Sequence, residues 1–291
     1  MNAKTKAIIL DGKSLSAKIR EELKLRAQKL REKGIIPRLD VFVSAEDPAS
    51  QAYVRMKRRF GNEIGVVGEQ YEITSETSRS WVLDKIAELN ENPEVHGILV
   101  QHPLPKTFDE NEILFALGPK KDVDGISPQS LGLLLTGGKG FRCATPLGMM
   151  RLLDEYGLSC EGKQAVVIGR SVILGKPAAL MLLERNATVT ICHSKTKNLD
   201  DHCRQADILV AAVGKPEMIK GDWIKPGAIV LDAGYNKVPG RSGDVGDVEF
   251  EKASQIAGWI TPVPGGIGPM TVAMLLSNTL DAAEMLTGSY K

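Results

Sequence analysis

The sequence predicts an α/β protein of two domains, the second a Rossmann-like nucleotide-binding domain, with a cleft between them. Three observations predict it. The chain has 291 residues, of which 43% are hydrophobic, which exceeds the usual single-domain size of roughly 100 to 200 residues and suffices for two cores. Short apolar runs alternate with amphipathic helical segments in two separate series. The second series opens on a strand-to-helix loop with glycine at both ends, Gly169 to Gly175.

In the first series, Leu15, Ile19, Leu23, Ala27 and Leu30 recur at near-helical spacing and predict a helix over 14–33, stopped by Gly34 and Pro37. Residues 39–43 read as a buried strand. Asp47-Pro48 is an N-cap followed by proline at the first helical position, and it opens a helix over 48–60 that carries Tyr53 and Lys57. Strands are predicted at 69–73 and 95–101, with a helix at 78–90 between them. Such alternation favours right-handed parallel crossovers over hairpins.

Thr145-Pro146 repeats the cap-then-proline device and starts a helix to about Tyr156. The second series then places strands at 165–168, 188–192, 208–212 and 228–231, with helices at 176–185 and 199–206. A last helix over 272–286 is expected to return to the first domain. The predicted domains are therefore 1–145 with 271–291, and 146–270.

Composition excludes several function classes. The 37 basic and 36 acidic side chains leave a net charge of +1, so no global field attracts nucleic acid or an anionic membrane. No apolar run reaches the roughly 18 residues of a membrane span. Cys143, Cys160, Cys192 and Cys203 have neither CxxC spacing nor a secretory leader before them, which predicts a cytoplasmic protein without a disulfide framework or zinc site. The two acids of Lys121-Asp122-Val123-Asp124-Gly125 lack further oxygen ligands, so hydrogen bonding to a heterocycle is expected there and no metal.

The loop Gly169-Arg170-Ser171 through Gly175-Lys176-Pro177 lets backbone N–H groups and a helix N-terminus approach a pyrophosphate. It is not GxGxxG, because Ser171 stands at the second glycine. A site preferring NAD usually carries an acid about 20 residues further on, to bind the ribose 2′-hydroxyl. Here the second strand runs into His193-Ser194-Lys195-Thr196, and hydroxyls and a cation beside Arg170 suit a 2′-phosphate instead. NADP is the predicted cofactor.

Tyr53 and Lys57 stand four apart and share a helix face. On spacing alone, a packed ring beside a snorkelling lysine is the commoner arrangement. Gln101 ends the apolar run Gly97 to Val100, and the following His102-Pro103-Leu104-Pro105 cannot continue a ladder. That places an amide at the carboxyl end of a parallel strand, where clefts form.

Taken together, residues 47–57, 97–105, 121–125 and 169–177, with Thr261-Pro262-Val263-Pro264-Gly265-Gly266-Ile267-Gly268-Pro269-Met270-Thr271, resemble the successive signatures of the bifunctional methylenetetrahydrofolate dehydrogenase/cyclohydrolase (FolD) family. The resemblance spans nearly the whole chain in the right order. It implies oxidation of 5,10-methylenetetrahydrofolate with NADP, then hydrolysis of the methenyl product to 10-formyltetrahydrofolate, within one-carbon metabolism.

By the same resemblance, Lys57 is the catalytic lysine, Tyr53 the ring that positions the folate, and Gln101 the amide beside the lysine. Asp122 is implied as the carboxylate holding the pterin-like ring, with Asp124 as a further substrate contact. Pro264, Gly265, Gly266, Ile267 and Gly268 are implied to line the folate site. Gly169, Arg170, Ser171, Ser194, Lys195 and Tyr235 are expected to contact NADP. A homodimer through the nucleotide domain is implied as well.

The sequence departs from the family pattern at Ser44, His102, Cys143-Ala144 and Tyr235. Alternatives are a dehydrogenase with weak or no cyclohydrolase activity, a shikimate-type NADP dehydrogenase, and a silent folate-binding homologue.

Overall fold

The computed structural model describes residues 6–241 and 243–288. In chain order its elements are β1 (Ile8–Ile9), α1 (Gly12–Glu32), β2 (Leu39–Ser44), α2 (Pro48–Ile64), β3 (Gln70–Ile73), α3 (Arg79–Glu91), β4 (Gly97–Val100), α4 (Glu110–Ala116), α5 (Pro128–Leu135) and α6 (Ala144–Glu155). There follow β5 (Gln164–Ile168), α7 (Gly175–Glu184), β6 (Thr188–Cys192), α8 (Leu199–Gln205), β7 (Ile208–Ala211), β8 (Ile229–Asp232), β9 (Asn236–Lys237), β10 (Asp244–Val245), α9 (Phe250–Ala253), β11 (Trp259–Ile260) and α10 (Ile267–Leu286). The chain divides into two compact units, one of Ala17–Ala144 with residues 272–288, the other of residues 6–16 with Thr145–Thr271. The division falls within α1 and within α10.

The first unit is built on a three-stranded parallel sheet of order β3-β2-β4. Every residue of β2 and β4 is buried, which suits the apolar sequence of β4 and of Val41 to Val43 in β2, while the buried Asp40 of β2 is paired with Arg38. Phe42, Ile73, Ile98 and Val100 from the sheet pack with Val82, Ile86 and Leu89 of α3 and with Ile113 of α4. Burial of each such side chain stabilises the fold by roughly 1.5 to 3 kcal/mol.

Helix α2 starts where the sequence predicts. The Asp47 carboxylate accepts from the N–H groups of Ala49 and Ser50, Pro48 stands at the first turn, and Gly65 closes the helix in the left-handed region. Its buried face is Ser50, Val54, Lys57, Gly61 and Ile64, at the alternating spacing of four and three that makes one stripe. The end of α10 belongs to this unit, where Asn278 Nδ2 donates to the carbonyls of Val123 and Arg142 at 2.8 and 3.1 Å.

The second unit holds a six-stranded, wholly parallel sheet of order β1-β11-β8-β7-β5-β6. From β5 the chain moves to β6 on one side, then to β7 on the other. The topology therefore reverses between β5 and β7, the position at which open α/β sheets bind ligands.

Residues 6–16 do not join the first domain, where the sequence analysis places them. Ile8 and Ile9 pair with Trp259 and Ile260, so β1 extends the sheet of the second unit. A two-residue strand gains its identity only from its partner, which lies about 250 positions away. The outermost residues of the expected first domain, 1–5 and 289–291, lie outside the described residues. Helix α6 opens at Ala144, one residue before the expected cap, and α10 opens at Ile267, five residues early. Helices α4 and α5 were not predicted, being only seven and eight residues long.

Candidate functional site

In the first unit, Lys57 is the charged member of the buried α2 stripe and is only 5% exposed. Its ammonium Nζ donates to Gln101 Oε1 at 2.9 Å and stands 5.5 Å from the centroid of the Tyr53 ring. Burial pushes the Lys57 amine below its ordinary range, against the opposing pull of the Asp124 carboxylate. Asp124 shows the reciprocal effect. Burial raises its carboxyl, Lys57 lowers it, and the neighbouring Asp122 raises it. Burial also pushes the Tyr53 phenol up.

Gln101 reaches this place because β4 ends beside β2, where its N–H donates to the Phe42 carbonyl at 2.8 Å. Its amide is held at both ends, since Nε2 donates to the His102 carbonyl at 2.9 Å. Four predicted residues, Tyr53, Lys57, Gln101 and Asp124, are thus brought together.

Asp122 is not part of that group in the manner expected. It is fully buried, and its two oxygens accept from the N–H groups of Gly125, Ile126 and Ser127 at 3.0, 3.4 and 2.8 Å. A carboxylate committed to three backbone donors holds the loop and has little capacity left for a ligand. The acid whose charge acts on the amine is Asp124, two residues on. Two acids in one short motif look alike in sequence, and only the turn decides which one points where.

In the second unit, Gly169 follows β5 at the topological reversal. Its φ is +130°, and a Cβ there would meet the Ala212 carbonyl oxygen, after β7, at 2.2 Å. Gly175 approaches equally closely, since a Cβ on it would lie 2.3 Å from the Gly169 carbonyl oxygen. Both positions require glycine. Helix α7 then begins without a side-chain cap, and Ser171 Oγ accepts from the Gly175 N–H at 3.3 Å. A helix N-terminus beside a close backbone turn suits a pyrophosphate.

Arg170 and Ser194 each lie two residues beyond the last paired residues of β5 and β6, Ile168 and Cys192. Arg170, Ser171, Ser194 and Lys195 are all exposed. These adjacent strand ends offer cations and hydroxyls and no acid, which fits a 2′-phosphate. Tyr235 follows β8, is 57% exposed and gives its hydroxyl to the Asp244 carboxylate.

The Pro264 to Gly268 segment belongs to the second unit. The Lys13 N–H donates to the Gly265 carbonyl at 2.8 Å, and Ile267 and Gly268 form the first turn of α10. The peptide bonds before Pro103 and Pro264 are cis.

Sequence reasoning missed two further groups. Asp247, fully buried, accepts from the N–H groups of Val213, Gly214 and Lys215 at 2.6, 2.9 and 2.8 Å, and from Asn236 Nδ2 at 2.9 Å. Asp232, at the end of β8, accepts from the N–H groups of Gly234, Asp247 and Val248. These carboxylates set the loops after β7 and β8. Burial raises the Asp232 carboxyl to about 7, against the pull of its three N–H donors. The other missed group is Ser50 and Glu110, which bond to His102, the departure from the family pattern next to Gln101. Its signal in the sequence was the position of Ser50 on the same stripe as Lys57.

Among the described residues no cluster of His, Cys, Asp and Glu is arranged to hold a metal, and no helix is long and apolar enough to cross a membrane. Residues 10–124 match the family described as "Tetrahydrofolate dehydrogenase/cyclohydrolase, catalytic domain", and residues 143–287 match its "NAD(P)-binding domain". The bifunctional protein FolD of Moorella thermoacetica is 55% identical over 96% of this chain and 99% of its own length. That of Acetivibrio thermocellus is 49% identical over 96% and 98%. Among solved structures, the bifunctional FolD methylenetetrahydrofolate dehydrogenase/cyclohydrolase of Campylobacter jejuni is similar with a TM-score of 0.94 and 46% identity, covering 96% of this chain and 99% of that one. The Trypanosoma brucei enzyme, solved with NADP cofactor and an inhibitor, is similar with a TM-score of 0.91 and 37% identity, covering 97% and 98%.

Proposed function

This chain belongs to the tetrahydrofolate dehydrogenase/cyclohydrolase family, and from that premise we propose that it oxidises 5,10-methylenetetrahydrofolate with NADP⁺ and hydrolyses the resulting 5,10-methenyl cation to 10-formyltetrahydrofolate. The observation that carries the chemistry is the buried Lys57 amine, bonded to Gln101 and electrostatically paired with Asp124. With the family matched across both halves of the chain, a shikimate-type dehydrogenase and a dehydrogenase lacking the hydrolytic step are not favoured.

When bound, NADP⁺ supplies the hydride acceptor for the first reaction. Gly169, Ser171 and the N-terminus of α7 would hold its pyrophosphate, and Arg170, Ser194 and Lys195 its 2′-phosphate, with Tyr235 as a further contact after β8. In the first unit the folate is held by Tyr53 and Asp124. Asp122 shapes the loop that presents Asp124. Lys57 serves the first reaction by position alone.

In the second reaction water adds to the one-carbon bridge of the methenyl cation. The lowered pKa of Lys57 makes its neutral amine accessible as a general base that takes one proton from that water. The ammonium so formed is stabilised by Gln101 Oε1 and Asp124. As the carbon–N5 bond opens, Lys57 returns a proton to N5, the second water proton leaves to solvent, and the formyl group remains on N10.

We further place the protein in the cytoplasm as a homodimer. The support for a dimer through the second unit is its edge strand β6, where Ile191 is 43% exposed, and the adjoining Leu183, which is 57% exposed. Sedimentation of the purified chain tests it, and a monomer at micromolar concentration rejects it.

A spectrophotometric assay tests the activity. NADPH should form from methylenetetrahydrofolate and NADP⁺, and added methenyltetrahydrofolate should be consumed without cofactor. Absence of both signals overturns the reading.

A further inference from the structure

Lys57 is linked to a polar chain that extends beyond its direct neighbours. Gln101 Oε1 accepts from Lys57 Nζ at 2.9 Å, while Gln101 Nε2 donates to the His102 carbonyl at 2.9 Å. The same carbonyl accepts from Ser50 Oγ at 3.2 Å. Ser50 and Lys57 lie on one stripe of α2, so the His102 carbonyl is tied to the helix that carries the lysine. The segment is also held by Glu110, the first residue of α4. Its Oε2 accepts from His102 Nδ1 at 2.9 Å and its Oε1 from the Leu104 N–H at 2.8 Å.

The orientation of the Gln101 amide follows from this chain. A reversed amide would set its NH₂ against the Lys57 ammonium and its oxygen against the His102 carbonyl. Both contacts repel. The carbonyl of His102 therefore decides which end of Gln101 faces Lys57. His102 Nε2 is buried with no hydrogen-bond partner among the described residues, so the bond to Glu110 is the polar contact that orients the ring.

We propose that Glu110 is a positioning residue for the hydrolytic step, acting through His102 and Gln101 to keep an acceptor oxygen on Lys57. The inference rests on the proposed role of Lys57 as the base of that step. Glu110 touches neither substrate nor cofactor in this scheme. Its carboxylate ties His102 to Leu104, and that tie transmits to the lysine through two hydrogen bonds. Other groups acting on Lys57 are the Tyr53 ring on α2 and Asp124, itself influenced by Asp122 and His102.

The test compares Glu110→Ala and Glu110→Gln in the full-length protein. The Gln101 oxygen favours the charged form of Lys57, so its loss in Glu110→Ala lowers the Lys57 pKa further. A pH titration of Lys57 by NMR of 13C-labelled lysine should show its midpoint moved to lower pH. In the same variant the methenyl hydrolysis kcat should fall about tenfold, as expected when one hydrogen bond no longer aligns the reacting group. NADP⁺ affinity should stay unchanged. Glu110→Gln keeps an acceptor for Leu104 and a polar partner for Nδ1 of the other His102 tautomer, so it should restore most of both quantities.

An unmoved Lys57 midpoint in a folded Glu110→Ala variant overturns the proposal. So does an equal fall in both activities with an unaltered titration, which marks mere loss of stability. If Glu110→Ala does not fold, His102→Ala removes the Nδ1 bond, keeps the bond of Glu110 to the Leu104 N–H, and must shift the midpoint in the same direction. Because the titration needs no turnover, a wild-type chain without hydrolase activity would sink the function while leaving the positioning result readable.

Discussion

Lys57 Nζ lies 2.9 Å from Gln101 Oε1, inside a stripe of α2 that is otherwise small or apolar. An amine in that position is desolvated yet keeps a neutral acceptor, so its proton is held loosely without being expelled.

Replacement of Lys57 by Met should therefore remove the hydrolytic reaction while sparing the nucleotide. Loss of a positioned acid or base costs about 10²- to 10⁴-fold in rate. The expected outcome for Lys57→Met is a fall of that size in methenyltetrahydrofolate hydrolysis, with NADP⁺ titrations unchanged. Undiminished hydrolysis would remove Lys57 from the mechanism.

Asp124→Asn tests the electrostatic partner. The Asp124 carboxylate raises the Lys57 pKa, in opposition to the larger effect of burial. Without it the amine loses its proton at lower pH. The rising limb of the hydrolysis profile, measured as kcat at saturating substrate, should move to lower pH. A limb that stays in place, or moves up, would show that the two groups are not coupled during turnover.

Arg170→Ala tests cofactor choice. A charge-assisted hydrogen bond is worth roughly 1.5 to 3 kcal/mol, or about 10- to 100-fold in affinity. NADP binding should weaken by that factor while NAD binding changes little, and the difference should shrink as salt is added. Equal losses for both dinucleotides in calorimetric titrations would place Arg170 away from the 2′-phosphate.

Asp232 supplies a prediction on stability. Its folded-state carboxyl is raised from 3.8 to about 7, so between those values the folded chain holds a proton that the unfolded chain has released. Stability from this group therefore falls as pH rises from about 4 to about 7 and is level above that. Asp232→Asn should lose about 1 to 3 kcal/mol, because an amide cannot accept from all three N–H donors. It should also lose this pH slope, as read from urea midpoints at several pH values. A slope shared by wild type and variant would assign it to another group.

Much of the fold was legible because its signals are local. The Asp47-Pro48 cap, the stripe through Val54 and Lys57, the apolar β4 and β7, and the short apolar runs inside β2 and β8 are each specified within a few residues. The glycines of the β5–α7 turn were legible as a local strand-to-helix pattern, and the structure gives the reason for them: a Cβ at Gly169 or Gly175 would lie 2.2 or 2.3 Å from a carbonyl oxygen. Strands β1 and β11 were not legible, because two residues carry no periodicity and their pairing is long-range.

The site divides along the same line. The sequence by itself determined that Tyr53 and Lys57 share a face, that Gln101 ends a strand, and that no acid stands where an NAD-preferring site would carry one. Only the tertiary structure decided that Asp124 acts on the amine while Asp122 is spent on three backbone N–H groups, and that Glu110 reaches Gln101 through His102. Helix and strand positions follow from spacing along the chain. The direction of a carboxylate in a loop follows from which donors the fold brings to it, and those donors are set by the path of the backbone in space.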